Sequence, residues 1–162
     1  MSGIVECCEG LEQRDLAAGE LLLEEGAISD EALYILREGS MEVLKGDVPI
    51  AVVSEPGSFL GETSLLLSLP YSATVRALEP SAVWVAPRGC DFLESSTVVA
   101  LSVARLLAKR LHLASSYLAD MKRQYEGADA SLEMMDVVLG ALVHHQEPDD
   151  GSEPGSERDP NY

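Results

Sequence analysis

Between Leu16 and Pro87 the apolar residues come in short runs, and glycine, proline and serine separate them. "LYILRE" (33–38) and "MEVLK" (41–45) read as two strands joined at Gly39-Ser40. "VPIAVVSEPGSF" reads as a further strand followed by a Pro-Gly turn. "SATVRA" and "SAVWVAP" are strands parted by the turn-like "LEPS", and "GELLLEEGAISD" sets Gly19 and Gly26 on either side of a short run. Regularly spaced short strands with such punctuation predict a sandwich or barrel. The alternation of apolar and polar positions is incomplete, so the turns carry this reading as much as the strands.

After Arg88 the pattern changes. "CDFLESSTVVALSVARLLAKRLHLASSYLADMKRQYEG" has no proline, is rich in leucine and alanine, and ends at Gly127. It predicts a short helix near Asp91–Ser95 and a long one from about Thr97 to Glu126. Along the long helix Ala100, Ala104, Leu107, Leu111, Ala114, Leu118, Met121 and Tyr125 follow a 4-3 spacing, which is a heptad seam. A second stripe, Val99, Val103, Leu106, Leu113 and Tyr117, lies on an adjacent face and is interrupted by Arg110. One stripe suits the barrel and the other suits a partner helix; the alternative buries both within one subunit. "DASLEMMDVVLGALVHH" predicts a further helix with Asp129 or Ser131 near its N-cap.

Composition narrows the function classes. The chain has 162 residues, 46% of them hydrophobic, enough for one substantial core. Its net charge of −17 argues against non-specific attraction to nucleic acid or anionic lipid. The segment "QEPDDGSEPGSERDPNY" is acidic and poor in apolar residues, and is expected to be disordered. Cys7, Cys8 and Cys90 show no metal-binding spacing and fit a reducing compartment. No secretory signal pattern and no run long enough to span a bilayer is evident, so a cytoplasmic, soluble protein is expected. His112, His144 and His145 form no constellation with a nucleophile, so no catalytic residue and no metal site is assigned.

The ordered series "LAAGELLLEEG", "LYILREGSMEV", "EPGSFLGETSLL", "LPYSATVRA", "VWVAP" and "LLAKRLHLASSYL" resembles the cyclic nucleotide-binding domain of the catabolite activator protein and kinase regulatory subunit superfamily. The resemblance covers about Leu16 to Tyr125. It implies a mainly β fold with α: an eight-stranded β-roll followed by a long C-terminal helix that often makes a two-fold dimer. The implied layout is a roll over 1–96, the long helix over 97–126, an extra helix over 129–145 and an acidic tail over 146–162.

In that family the segment Gly61–Ala73 is the phosphate-binding cassette. Backbone N–H groups favour an anion there, a carboxylate at the Glu62 position takes the ribose hydroxyl, and an arginine neutralises the cyclic phosphate. Carried over by position, the ligand-binding residues are Gly61, Glu62, Thr63, Tyr71, Ser72 and Ala73. On the long helix Ala114 stands where the family has a threonine against adenine, and Ser115 matches a serine reaching from the dimer partner. The arginine is missing, because "PYSATV" puts Tyr71 in its place. Arg76 lies further on with the wrong strand parity to substitute.

These residues imply a non-catalytic regulatory module of the cyclic nucleotide-binding type, with weak or lost binding of cAMP or cGMP. One alternative is a degenerate fold acting as a protein–protein interaction or dimerisation module, with Tyr71 filling the pocket. A second is a relative of transcription regulators that lacks its own DNA-binding domain, since nothing after Glu126 is basic or long enough for one. The expected partners are a second copy through residues 97–126 and a protein partner. Direct binding to nucleic acid or membrane is not expected.

Overall fold

The computed structural model describes residues 2–124 and 137–142. Helix α1 (Ser2–Cys7) precedes eight strands: β1 (Glu12–Leu16), β2 (Leu21–Leu23), β3 (Leu33–Glu38), β4 (Met41–Lys45), β5 (Val48–Val53), β6 (Phe59–Leu60), β7 (Thr74–Ala77) and β8 (Ser81–Ala86). Helix α2 (Glu62–Leu67) is inserted between β6 and β7, and α3 (Gly89–Ser95) and α4 (Thr97–Gln124) follow β8. The strands form two four-stranded antiparallel sheets, β1-β8-β3-β6 and β2-β7-β4-β5. Eight strands in two sheets followed by a long helix is the β-roll architecture that the sequence implies.

The imperfect alternation has a physical cause. The two central strands of the first sheet, β3 and β8, are buried on both faces and are nearly continuous apolar runs. Tyr34 and Leu36 of β3 and Val83 of β8 face the roll interior, where they meet Leu23, Met41, Val75 and Ala77 of the second sheet. Leu33 and Ile35 of β3, with Trp84 and Ala86 of β8, face the other way. There they pack with Cys8, Leu65, Leu93, Val99 and Val103, contributed from around α1, α2, α3 and the start of α4. Strand parity therefore assigns successive residues of one strand to two different cores.

The β3–β4 turn depends on a glycine. Gly39 has φ +87°, and a Cβ there would overlap the Ser81 hydroxyl and lie 2.7 Å from Ser81 Cα. Ser40 N–H donates to Ser81 Oγ at 3.1 Å, which ties this turn to the start of β8.

By density of contacts the chain divides into two units, Met1–Leu107 and Ala108–Tyr162. In the first, Val99 and Val103 of the second stripe are buried in the helix-side core, with Leu106 and Leu107 packed against it. In the second, Leu111, Leu113 and Tyr117 of α4 are exposed. Residues 137–142 are helical, within the expected 129–145 helix. The rest of that helix, Tyr125, Glu126 and the 146–162 tail lie outside the described residues. Among the described residues no helix is long and apolar enough to cross a membrane.

Candidate functional site

The cassette begins where β6 ends. Gly61 has φ +86°, a left-handed conformation that turns the chain into α2 without steric cost. Its carbonyl accepts the Leu65 N–H at 3.1 Å. Ser68, also left-handed, closes the helix, and Leu69 N–H reaches back to the Ser64 carbonyl at 3.0 Å. Glu62 is 2% exposed, and Thr63 Oγ1 donates to its carboxylate at 3.3 Å. Ser64 Oγ accepts the Ser72 N–H at 3.3 Å. One backbone N–H of the cassette turn is thus held by a side chain of the cassette's own helix.

Tyr71 stands at the centre. It is 7% exposed, and its ring belongs to the interior core. An ideal Cβ on Gly61 would lie 3.7 Å from its Cε1 and 3.5 Å from Leu23 Cδ1, which places the ring against the cassette's opening turn. Its backbone pairs with the β2–β3 loop: Tyr71 N–H donates to the Ala27 carbonyl at 2.9 Å, and Gly26 N–H donates to the Tyr71 carbonyl at 2.8 Å. Its hydroxyl donates to Asp30 Oδ1 and accepts the Asp30 N–H at 3.3 Å. Tyr34 donates to the other carboxylate oxygen, and Ala32 N–H donates to Oδ1 at 3.0 Å. A buried aromatic with its polar tip partnered at the rim is the arrangement tyrosine favours.

The electrostatics follow from these contacts. Burial acts to raise the Asp30 carboxyl, but donation from Tyr34, Tyr71 and the Ala32 N–H outweighs it and holds the group below the usual carboxylate range. Burial and then the bond to Asp30 push the Tyr71 phenol up, and the Tyr34 phenol is pushed up for the same two reasons. At neutral pH the cluster is one carboxylate held by two neutral phenols. Nearby, Lys45 Nζ donates to the Ser72 carbonyl and pairs with Glu25 at 2.7 Å. Bonds from Lys45 and the Gly46 N–H lower the Glu25 carboxyl.

Gly61, Glu62, Thr63, Tyr71, Ser72 and Ala73 thus lie on one continuous cassette in the first unit. Ala114, exposed, and Ser115, half-buried, lie on α4 in the second unit. Ser72 and Ala73 precede β7, which starts at Thr74 rather than Ser72. Arg76 is exposed between the buried Val75 and Ala77 and pairs with Glu42 at 2.6 Å, on the outer face as its parity implies. Asp30 and Tyr34 escaped the sequence reading. They sit 41 and 37 positions from Tyr71, and no local spacing links them to it. Among the described residues no group of three or more His, Cys, Asp or Glu is placed to hold a metal ion.

The comparisons agree with this architecture. The family model for the cyclic nucleotide-binding domain matches residues 13–95. An uncharacterised ABC transporter ATP-binding protein of Mycobacterium tuberculosis is 39% identical over 66 residues, 38% of this chain and 20% of that protein. The cAMP-dependent protein kinase regulatory subunit of Yarrowia lipolytica is 33% identical over 76 residues, 47% of this chain and 20% of that protein. The match therefore spans about a fifth of the length of these curated relatives. The Thermus thermophilus catabolite activator protein superposes with a TM-score of 0.63 at 25% identity, over 75% of this chain and 60% of that one. A PKAR CBD2 domain bound to Sp-2Cl-cAMPS has the same fold, with a TM-score of 0.54 at 21% identity, over 74% of this chain and 75% of that one. With the roll, the inserted cassette helix and the family match all falling on the same residues, the chain belongs to the cyclic nucleotide-binding domain family.

Proposed function

We propose that this chain is a non-catalytic regulatory module in which binding of cAMP or cGMP is weak or lost, and that it acts through protein contacts. The observation that carries this reading is Tyr71, buried in the interior core with its hydroxyl bonded to Asp30. A phenol supplies no positive charge. Losing an ion pair to a desolvated phosphate costs about 2–5 kcal/mol, more than about tenfold in affinity. The ring also fills space beside Gly61, so a ligand has to displace packed core as well as do without its counter-ion. The same cassette is tied to the β2–β3 loop by protein groups alone. In a protein-binding module that tie presents one fixed surface without waiting for a nucleotide.

The chain acts as a homodimer through residues 97–126, without direct contact to nucleic acid or membrane, in the cytoplasm. The exposed Leu111, Leu113 and Tyr117 favour the dimer. Calorimetric titration with cAMP and cGMP, of the wild type beside Tyr71→Arg, tests the nucleotide reading. Heat from the variant with none from the wild type is the expected result. Micromolar binding by the wild type would refute it.

A further inference from the structure

A second concave surface lies on the outside of the cassette, and the nucleotide reading makes no use of it. It is a groove of about 440 Å³ walled by the β2–β3 loop at Ile28, by the α2 end at Leu69 and Pro70, and by the start of α3 at Asp91. Its floor is tightly made. Gly89 N–H donates to the Glu31 carbonyl at 2.9 Å, and a Cβ on Gly89 would overlap Leu65 Cδ2 and lie 3.1 Å from that carbonyl. Ile28 is 89% exposed, Leu67 61%, Leu69 53% and Leu66 45%. Ile28 and Leu69 line the groove itself, and Leu66 and Leu67 are exposed on α2, whose Ser64 and Leu65 also line it. Large aliphatic side chains exposed at and beside one cavity mark an interaction surface.

We infer that this groove docks a basic amphipathic helix of a partner protein, an inference that rests on the protein-binding reading above. Two observations select that occupant. Every residue lining the groove belongs to a loop, to α2 or to the α3 start, and none belongs to a strand. An extended peptide therefore finds no sheet edge to pair with, which leaves aliphatic anchors of a helix as the mode of entry. The charge selects the flanks. Residues 1–96 hold 17 acidic and 5 basic residues, Glu31 and Asp91 line the groove, and its one arginine, Arg88, is paired with Asp91 at 3.2 Å. Lysine or arginine beside the anchors complements that field, and an acidic helix is repelled.

The test uses the full chain and a fluorescein-labelled leucine–lysine helix of about five turns, read by fluorescence anisotropy, beside the same helix with glutamate for lysine. The lysine helix is expected to bind at least about tenfold tighter than its glutamate counterpart. Leu69→Asp is expected to weaken it by about tenfold or more, and Glu31→Lys by a few-fold. Val52→Asp, on the exposed strand of the second sheet, controls for non-specific adhesion and is expected to change little. Ile28→Asp, at the most exposed aliphatic residue of the groove, replaces Leu69→Asp if that variant melts without a cooperative transition. No binding of the lysine helix, equal loss from Val52→Asp, or no loss from the groove variant at Leu69 or Ile28 overturns the inference. Each of these leaves the nucleotide result above untouched, so the two readings fail separately.

Discussion

The first sheet has a core on each face, and the two cores differ in kind. The helix-side core is closed by Cys8, Leu33, Ile35, Trp84, Val99 and Val103, and holds no tyrosine among its buried members. The interior core has Tyr34 and Tyr71 among its leucines and valines, and both direct their hydroxyls to the same carboxylate, Asp30. A core made only to be stable has no need of two phenols sharing an acid. The difference teaches that the interior has been finished at the cassette end by groups that combine apolar bulk with a partnered polar tip.

The comparison is broken or sharpened most strongly by truncation. Leu33→Ala on the helix side should cost about 2–5 kcal/mol, and Tyr71→Ala in the interior about 3–5 kcal/mol, by urea denaturation. A Tyr71→Ala cost under about 1 kcal/mol would show the interior to be an open ligand pocket rather than a core. Gly39→Ala, at φ +87° against Ser81, should cost more than about 1 kcal/mol without touching either core. Tyr71→Phe keeps the ring and removes both the bond to the Asp30 carboxylate and the acceptor of the Asp30 N–H, and because Asp30 is exposed to water about 1 kcal/mol is expected.

A smaller effect comes from pH, and its sign follows from the shifts. Asp30 titrates below its ordinary value in the folded chain, so the unfolded chain binds its proton more readily. Its contribution is fully present above about pH 4, the ordinary carboxylate value, and is lost as pH falls through the folded value. Asp30→Asn should flatten that acid limb of the melting curve. The two phenols act in the opposite sense: raised when folded, they contribute fully below about pH 10, and that contribution fades as pH rises. The smallest readout is chemical. Cys8 is buried and its thiol is pushed up to about 11 by burial and then by Cys7. A thiol reagent should therefore label the exposed Cys90 well before Cys8 in the native protein.

Much of the roll was legible in the sequence because its strands begin and end at local turn chemistry. "LYILRE", "MEVLK" and the strand in "VPIAVV" appear with the bounds their glycine and proline neighbours suggest. β1 and β6 were not legible. β1 is "EQRDL", exposed at four of its five positions, and exists through its ladder with β8, seventy residues along the chain. β6 is two residues long and is defined by pairing with β3. α1 went unread because its apolar face is too short to show a period, though Ile4, Val5 and Cys7 pack on the helix-side core.

At the site, the sequence by itself determined that the cassette has no arginine at its usual place and that Tyr71 stands there, because that is a matter of residue identity at a fixed motif position. It also determined the sign of the molecule's field. Only the tertiary structure decided where the tyrosine points, what holds its hydroxyl, and that a second groove opens on the outer side of the same cassette. The physical reason is separation along the chain. Tyr71 meets Asp30 across 41 residues, and Gly89 closes the groove floor against Glu31 across 58, and no local periodicity encodes contacts that exist only once both sheets have closed.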